Sequence, residues 1–268
     1  MEATGRVRRC NRLFDPVSGR TVLLPIDQPV TMGPIDGLAQ LGPTLPGLLA
    51  GAPDGVVAHR GALTRIPADL SREISLIMHL SAGTSLSGRG HVKTLVGSAE
   101  DALRVGAEAV SVQVTFGVAE ELDMLADLAE VSAACSRWGL PLLTMIYVRG
   151  VDPAEEPRSI AHAARVAAEL GSDIVKVPYT GSSESFATVV QGCFAPVIVA
   201  GGDRIKWNDL LLTVEDALAV GAAGVCVGRN VFQHEDPEKA MTELRARVHV
   251  PARSPVPARC GSLSEPVR

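Results

Sequence analysis

A lysine in the middle of an apolar run is the residue of this sequence best suited to covalent chemistry. Lys176 lies in the run 173–178 (DIVKVP), where strand alternation places it on the same face as Ile174. Burial disfavours the charged ammonium and lowers its pKa, and a neutral amine can attack a ketone to form a Schiff base. The alternative is a structural lysine that pairs with a carboxylate or extends to solvent at the strand end.

Two groups able to transfer protons end other apolar runs. Tyr147 ends the run 142–147, and Asp27 ends the run 22–27. A phenol or a carboxylate close to an amine can act as general acid or base. The alternatives are a tyrosine whose hydroxyl lies in water and an aspartate that caps a helix.

Glycines and an arginine that follow the last two apolar runs indicate a phosphate site. Gly201 and Gly202 follow the seventh run, and Gly228 and Arg229 follow the eighth. Glycine lets the backbone approach a ligand closely, and arginine neutralises a phosphate dianion. Arg149, just after Tyr147, is a further candidate for binding the substrate.

The elements that must position these residues repeat along the chain. Eight short apolar runs predict strands, and helical patterns lie between them. Such an alternation is typical of a parallel sheet buried on both faces. Eight units predict an α/β fold, a (β/α)8 TIM barrel, in which the active site lies at the carboxyl ends of the strands. The alternative, a doubly wound open sheet, lacks a G-x-G-x-x-G motif after its first strand. The predicted strands are Thr21–Asp27, Gly55–His59, Ile74–Leu80, Ala109–Thr115, Pro141–Tyr147, Asp173–Val177, Pro196–Ala200 and Gly224–Val227.

The predicted helices and the domain organisation follow from the same pattern. Residues 1–248 are expected to form one barrel domain, and residues 249–268, rich in Pro, Arg and Ser, a disordered tail. The segments near Leu38–Leu49 and Gly61–Leu70 contain many Gly and Pro residues, which leaves their structure open. The predicted helices are Ala99–Gly106, Ala119–Trp138, Arg158–Leu170, Glu184–Gln191 and Val214–Gly221.

Composition excludes several classes of function. The net charge of −5 gives no basic field for nucleic acid, and no run approaches the roughly 18 apolar residues of a membrane span. Five scattered cysteines suit neither a zinc knuckle nor a disulfide framework, so we expect reduced thiols. We also expect no signal peptide and a soluble cytoplasmic protein. The six histidines form no H-x-x-x-H or H-x-H pair, and we expect neither a metal nor another cofactor. The Gly83–His91 loop lacks the spacing of a nucleotide-binding P-loop and is expected to face the substrate.

Taken together, these residues resemble the class I aldolases of the archaeal type in the DeoC/LacD group. The resemblance runs from about Arg20 to Arg247, and its most specific stretch is 173–181 (DIVKVPYTG). It implies that Lys176 forms the Schiff base, that Tyr147 shuttles protons and that Asp27 is their acid/base partner. It places Gly201, Gly202 and Arg229 around phosphate and suggests a homo-oligomer. Segments 79–85 (HLSAGTS), 109–112 (AVSV) and 228–230 (GRN) look more like the aminodideoxyheptulosonate and phosphonooxyheptanoate synthases than the glycolytic branch.

The sequence departs from the family pattern at three places. Gln28-Pro29 stands where the family usually has His-Gly, Val148 stands where it has Pro, and Gln113 stands where it has His. The missing first histidine argues against the group's thiolase-like member, which relies on that residue.

The resemblance implies a synthase that joins dihydroxyacetone phosphate to an aldehyde, with aspartate 4-semialdehyde as the acceptor. The product would be 2-amino-4,5-dihydroxy-6-oxo-7-(phosphonooxy)heptanoate. One alternative is a class I fructose-bisphosphate aldolase, which needs a second phosphate site. The other is a barrel that binds a sugar phosphate without catalysis.

Overall fold

Eight parallel strands close into a barrel in the computed structural model, which describes residues 4–69, 73–152 and 155–250. The predicted (β/α)8 fold is therefore confirmed. Each predicted strand coincides with an observed one within a few residues. Around the barrel the strands follow the order β1-β10-β9-β8-β7-β6-β3-β2. They are β1 (Thr21–Pro25), β2 (Gly55–Ala58), β3 (Ser75–His79), β6 (Ala109–Phe116), β7 (Leu142–Val148), β8 (Ile174–Val177), β9 (Val197–Ala200) and β10 (Gly224–Cys226); β4 (Ser81–Ala82) and β5 (Thr94–Leu95) form a separate hairpin.

Helices connect the strands and cover the outside of the barrel. The five predicted helices are present, although the last of them begins at Trp207 rather than Val214. The two Gly- and Pro-rich segments contain one helix of ten residues and one of four. The helices are α1 (Thr4–Arg12), α2 (Gln28–Met32), α3 (Leu41–Ala50), α4 (Arg60–Leu63), α5 (Ala99–Arg104), α6 (Glu121–Trp138), α7 (Glu156–Glu169), α8 (Ser183–Gly192), α9 (Trp207–Ala219), α10 (Arg229–Phe232) and α11 (Pro237–Val248).

The core has two layers, because alternate residues of each strand face opposite sides. In β8, Val175 and Val177 pack in the larger cluster between strands and helices. Ile174 belongs instead to the inner cluster, with Leu23 and Leu143 from β1 and β7. Lys176 shares the side of Ile174, as alternation predicted, and the structure shows that this side faces the barrel interior.

Helix α1 closes the amino-terminal end of the barrel. Leu13, just after this helix, is fully buried in the inner cluster. Arg6 forms an ion pair with Asp173 at 2.8 Å, and Asp173 in turn accepts a hydrogen bond from the backbone N–H of Leu142. The end of the barrel opposite the strand carboxyl ends is thus packed and cross-linked, which leaves the other end for function.

The cysteines agree only in part with the expectation. Cys135, Cys193 and Cys226 are buried free thiols, whereas Cys10 is disulfide-bonded, so the prediction of reduced thiols throughout is wrong at this position. Sequence spacing detects disulfides between close cysteines, and Cys10 has no such neighbour.

Two remaining predictions concern the chain as a whole. No helix within the described ranges is long and apolar enough to span a membrane. From residue 251 onward, the predicted tail 249–268 lies outside the described residues.

Candidate active site

A cavity of about 260 Å³ opens at the carboxyl ends of the barrel strands and brings together five of the predicted site residues. Gly201, Gly202 and Gly228 lie at the ends of β9 and β10 but do not line this cavity. The five that line it are Asp27, Tyr147, Arg149, Lys176 and Arg229. The lining also contains Gln28, Thr31, Met32, His59, His79, Ser81, Gly90, His91, Lys93, Gln113, Thr115 and Met145.

Lys176 lies at the base of the cavity and is only 6% exposed. It is paired in register with Met145 of β7, and its Nζ lies 3.7 Å from the Met145 sulfur. Strand β8 fixes the backbone on both sides, and the barrel interior restricts the side chain. The amine is therefore held in one position, as a nucleophile that must meet a carbonyl carbon requires.

The electrostatics of Lys176 differ from the expectation. Burial alone lowers its pKa, but Cys226, Tyr147 and Asp27 act in the opposite direction and hold the pKa above its ordinary value. Burial raises the pKa of the Cys226 thiol to about 11, so Cys226 acts on the lysine only as a thiolate at high pH, and at neutral pH Asp27 is the carboxylate that stabilises the ammonium. The predicted lowering of the lysine pKa is wrong for this site, and the amine must lose a proton before it can attack.

Asp27 is the carboxylate of this cavity. Its Oδ1 is buried without a hydrogen-bond partner, and its Oδ2 lies 3.9 Å from Nε2 of His79. Asp27 precedes α2, but its side chain makes no capping hydrogen bond. The alternative of a helix-capping aspartate therefore does not describe its side chain. A buried carboxylate oxygen that lacks a donor is suited to accept a proton or a substrate hydrogen.

Two histidines form the wall behind Asp27. His79 is buried, its Nδ1 lies 2.8 Å from Oγ of Ser111, and its ring packs edge-to-face against His59. Burial lowers the pKa of His79 to about 4, although Asp27 acts in the opposite direction, and burial likewise lowers the pKa of His59. Both rings are therefore neutral at neutral pH and leave Asp27 without a cationic partner on this side.

Tyr147 is the phenol of the cavity. It lies at the end of β7 in register with Thr115, is half-buried and packs against the inner cluster. The other tyrosine, Tyr179, donates its hydroxyl to Asp216 at 3.3 Å and does not line the cavity. Tyr147 is thus the phenol available to a substrate bound at Lys176.

The predicted phosphate end is built by two loops that one asparagine joins. Asn230 is buried, donates from Nδ2 to the carbonyls of Gly201 and Asp203, and accepts from the backbone N–H of Ile205. Arg229 forms an ion pair with Asp203 at 2.5 Å. The sequence indicated the stretch 228–230 but gave Asn230 no role.

Two of the three glycines at this end, Gly201 and Gly228, are required by packing within the protein. A Cβ atom at Gly201 would lie 2.8 Å from a side-chain carbon of Val227, and one at Gly228 would lie 2.9 Å from the carbonyl oxygen of Pro25. Gly202 has a φ of 64°, a backbone conformation that favours glycine, and no other atom lies close to the position where its Cβ would be. Only at Gly202 does the absence of a side chain leave room for a ligand.

Two further cations line the cavity, and sequence reasoning identified only one of them. Arg149 is exposed at the rim. Lys93 is 8% exposed, and its Nζ donates to Oγ1 of Thr31 at 2.9 Å. Burial lowers the pKa of Lys93, while Asp27 opposes the shift. The sequence contains only four lysines, and this scarcity was the signal that could have drawn attention to Lys93.

The part of the chain that the structure describes contains no cluster of three or more His, Cys, Asp or Glu side chains able to hold a metal ion. The chemistry that this arrangement supports is that of a buried amine with a carboxylate and a phenol beside it.

Comparison with known proteins places this geometry in context. Residues 21–234 match the model of the DeoC/LacD family aldolases. Two relatives are the 2-amino-4,5-dihydroxy-6-oxo-7-(phosphonooxy)heptanoate synthase of Streptomyces griseus and the 2-amino-3,7-dideoxy-D-threo-hept-6-ulosonate synthase of Halobacterium salinarum. The first is 40% identical over 91% of this chain and 90% of its own length. The second is 38% identical over 93% of each chain.

Solved structures of aldolases share the fold of this chain. An archaeal fructose 1,6-bisphosphate aldolase superposes with a TM-score of 0.83 at 31% identity and covers 91% of this chain and 99% of its own. A second structure of an archaeal fructose-1,6-bisphosphate aldolase, with its catalytic Lys covalently bound to the carbinolamine intermediate of the substrate, matches with the same TM-score and identity over 91% of this chain and 100% of its own.

Proposed function

Because the chain belongs to the DeoC/LacD family of aldolases, we propose that it joins dihydroxyacetone phosphate to aspartate 4-semialdehyde by Schiff-base catalysis. It is a class I aldolase acting on a phosphorylated small molecule. The observation that carries the proposed reaction is the buried amine of Lys176, which shares one cavity with Asp27 and Tyr147.

The names of the relatives support this choice of substrates. The phosphonooxyheptanoate of the Streptomyces griseus enzyme has a ketone at C6 and hydroxyls at C5 and C4. Cleavage of the C4–C5 bond, the aldol bond, divides it into a three-carbon ketone phosphate and a four-carbon amino-acid aldehyde. These fragments are dihydroxyacetone phosphate and aspartate 4-semialdehyde.

The proposed mechanism uses the residues as the cavity arranges them. Asp27 takes a proton from the Lys176 ammonium, and the neutral amine adds to the donor carbonyl. Loss of water gives the iminium, and Tyr147 or Asp27 removes a proton from the adjacent carbon to give the enamine. The enamine carbon attacks the acceptor aldehyde, whose oxygen takes up a proton. Water then hydrolyses the new iminium and releases the product from Lys176.

Donor binding is assigned to the loops after β9 and β10. Arg229 would neutralise the phosphate, and the backbone at Gly201, Gly202 and Gly228 would surround it. Because Arg229 pairs with the highly exposed Asp203, a phosphate dianion can replace that carboxylate at little cost. Arg149 at the rim would contact the substrate from the other side of Lys176.

Fructose-bisphosphate aldolase is the second candidate, favoured by the superposition on the archaeal enzyme. Its substrate carries phosphates at both ends and needs two cationic sites. The non-catalytic alternative has less support, since the relatives compared above are named as synthases or aldolases.

The test incubates the purified enzyme with dihydroxyacetone phosphate and aspartate 4-semialdehyde and measures product by mass spectrometry. A parallel reaction measures cleavage of fructose 1,6-bisphosphate. We expect the seven-carbon amino-acid phosphate to form with a kcat/KM at least about tenfold above that for the bisphosphate. Preferred cleavage of the bisphosphate would contradict the proposal.

We further propose that residues 1–248 form the catalytic unit and that it works as a homo-oligomer in the cytoplasm. The tail 249–268 is not assigned a catalytic role.

A further inference from the structure

Lys93 is a buried cation in the catalytic cavity to which the proposed mechanism gives no role. It lies just before β5, in the segment that joins β3 to α5. Its Nζ donates to Oγ1 of Thr31 at 2.9 Å and to the carbonyl of Gly83 at 3.4 Å. Both partners are neutral oxygens, so they orient the ammonium without compensating its charge.

No carboxylate of the described residues lies within ion-pair distance of Lys93. Asp27 acts on it from beyond that distance and raises its pKa, while burial lowers it. A buried charge without a counter-ion is costly to keep. At the edge of a substrate cavity, an anionic group of the substrate can supply the missing counter-ion.

The position of Lys93 in the barrel says which end of the substrate it would meet. In the order β1-β10-β9-β8-β7-β6-β3-β2, strand β3 stands opposite β9. The Schiff-base lysine is on β8, and the donor phosphate is assigned to the loops after β9 and β10. The ammonium of Lys93 lies on the side of the cavity formed by the ends of β1, β2 and β3, since it donates to Thr31 and acts on the pKa of His59 and of His79. A substrate that extends from that phosphate past Lys176 runs toward this side.

We propose that Lys93 binds the carboxylate of the acceptor, so that it selects a short aldehyde that carries an α-amino-acid group. The inference rests on the proposed function, since it concerns the acceptor half of that reaction. Lys93 contacts the carboxylate of the acceptor and not the aldehyde carbon that reacts, so it determines specificity and takes no part in the chemical step.

Arg149 is the rival cation for the same carboxylate. It is exposed at the cavity rim, whereas Lys93 is nine-tenths buried and held by two hydrogen bonds. A charge pair shielded from water is stronger than one at a solvated rim. These differences favour Lys93 as the carboxylate site.

The experiment measures kcat/KM of Lys93→Met with two acceptors, aspartate 4-semialdehyde and propanal, which lacks the carboxylate. The loss of a buried charge pair predicts a fall of about 30-fold or more with the semialdehyde and a change under about threefold with propanal. Lys93→Arg should restore part of the activity with the semialdehyde. Lys239→Met, at an exposed lysine on α11 outside the cavity and outside the loops assigned to the donor, is the matched control and should behave as wild type.

A second measurement separates binding of the acceptor from damage to the site. Exchange of a donor hydrogen with solvent deuterium needs Lys176 and the base that forms the enamine but no acceptor, and it should be unchanged in Lys93→Met. The inference is overturned if Lys93→Met loses this exchange or loses equal activity with both acceptors. It is also overturned if Arg149→Met, and not Lys93→Met, loses activity selectively with the acceptor that carries the carboxylate. If the wild type itself does not use the semialdehyde, the proposed function fails and this inference fails with it. Unchanged selectivity in Lys93→Met contradicts only the inference.

Discussion

At the scale of single residues, Asp27 is the carboxylate of the cavity that acts on several groups able to carry a positive charge. Asp27 raises the pKa of Lys176, opposes the lowering of the Lys93 pKa, and opposes the lowering of the His79 pKa. The neutral state of His79 matters here, because a charged imidazole 3.9 Å away would pair with Asp27 and compete with the lysine for it. Burial of the histidine thus keeps Asp27 available for proton transfer.

His79 should give the protein a measurable sensitivity to acid. Its pKa falls from an ordinary 6.5 to about 4 on folding, so the unfolded chain binds the proton more strongly. Its contribution is fully present above about pH 6.5 and is lost as the pH falls toward 4, at a total cost of about 3 kcal/mol. Urea unfolding across this range should therefore show a shallower loss of stability in His79→Gln than in the wild type.

The control for this prediction is His162→Gln, which changes an exposed histidine on α7. It should follow the wild-type curve. An acid dependence of His79→Gln identical to that of the wild type would show that His79 is not the source.

The sequence predicted which candidate residues share the cavity better than it predicted their surroundings. Lys176, Tyr147 and Asp27 stand at or near strand ends, and the barrel geometry brings these three strand ends to one cavity. Lys93 was missed because it comes from an insertion whose path no strand periodicity specifies. The direction of the Lys176 pKa was missed because Cys226 and Asp27 reach the lysine only when β10 and β1 close the barrel.

At the scale of elements, the short helix α10 is the support of the proposed phosphate site. Through Asn230 it holds three backbone groups of the loop that follows β9. The carbonyls of Gly201 and Asp203 receive the two amide hydrogens, and the N–H of Ile205 donates to the amide oxygen. One side chain therefore fixes the position of both loops that the donor phosphate would contact.

Asn230→Asp tests this support with almost no change in shape. The aspartate places an oxygen where the amide nitrogen met two carbonyl oxygens at 2.9 Å, so donation becomes repulsion. We expect a loss of about 1–3 kcal/mol in the free energy of unfolding and a donor KM raised about tenfold or more.

The matched control is Asn208→Asp, at an exposed asparagine on α9. Denaturant unfolding and steady-state kinetics on both variants provide the comparison. If Asn230→Asp leaves the donor KM unchanged, the loop is not held in the way described.

The elements differ in how far the sequence specified them. The eight strands are recognisable because each is buried on both faces and so reads as a continuous apolar run. Helix α1 was not predicted, since its sequence is rich in arginine and buries only Cys10 of its nine residues. Helices α2 and α10 are too short for a periodic pattern. Half of the residues of α11 are polar, and its packing against α3 and α9 depends on the closed barrel.

At the scale of the whole molecule, stability and catalysis are assigned to opposite ends of the barrel. The amino-terminal end is closed by α1, Leu13 and the Arg6–Asp173 ion pair. The carboxyl-terminal end holds the open cavity with Lys176. A change at the closed end should therefore alter the free energy of unfolding without altering the chemistry.

Leu13→Ala tests this separation. The side chain is fully buried in the inner cluster, so its truncation should lower the free energy of unfolding by about 2–5 kcal/mol. The kcat at a temperature where the variant is folded should stay within about twofold of wild type. Leu212→Ala, at a leucine of α9 that is 59% exposed, is the control and should change stability by less than about 0.5 kcal/mol. A large fall in kcat for folded Leu13→Ala would contradict the separation.

The central claim is that Lys176 is the amine that bonds to the donor, and borohydride trapping tests it most directly. Reduction in the presence of dihydroxyacetone phosphate should add the mass of the reduced donor to the peptide that contains Lys176. The same treatment of Lys176→Met should give no adduct, while Lys93→Met and Lys239→Met should give the wild-type adduct. An adduct on the Lys93 peptide, or turnover by a wild-type enzyme that yields no adduct at Lys176, would contradict the account.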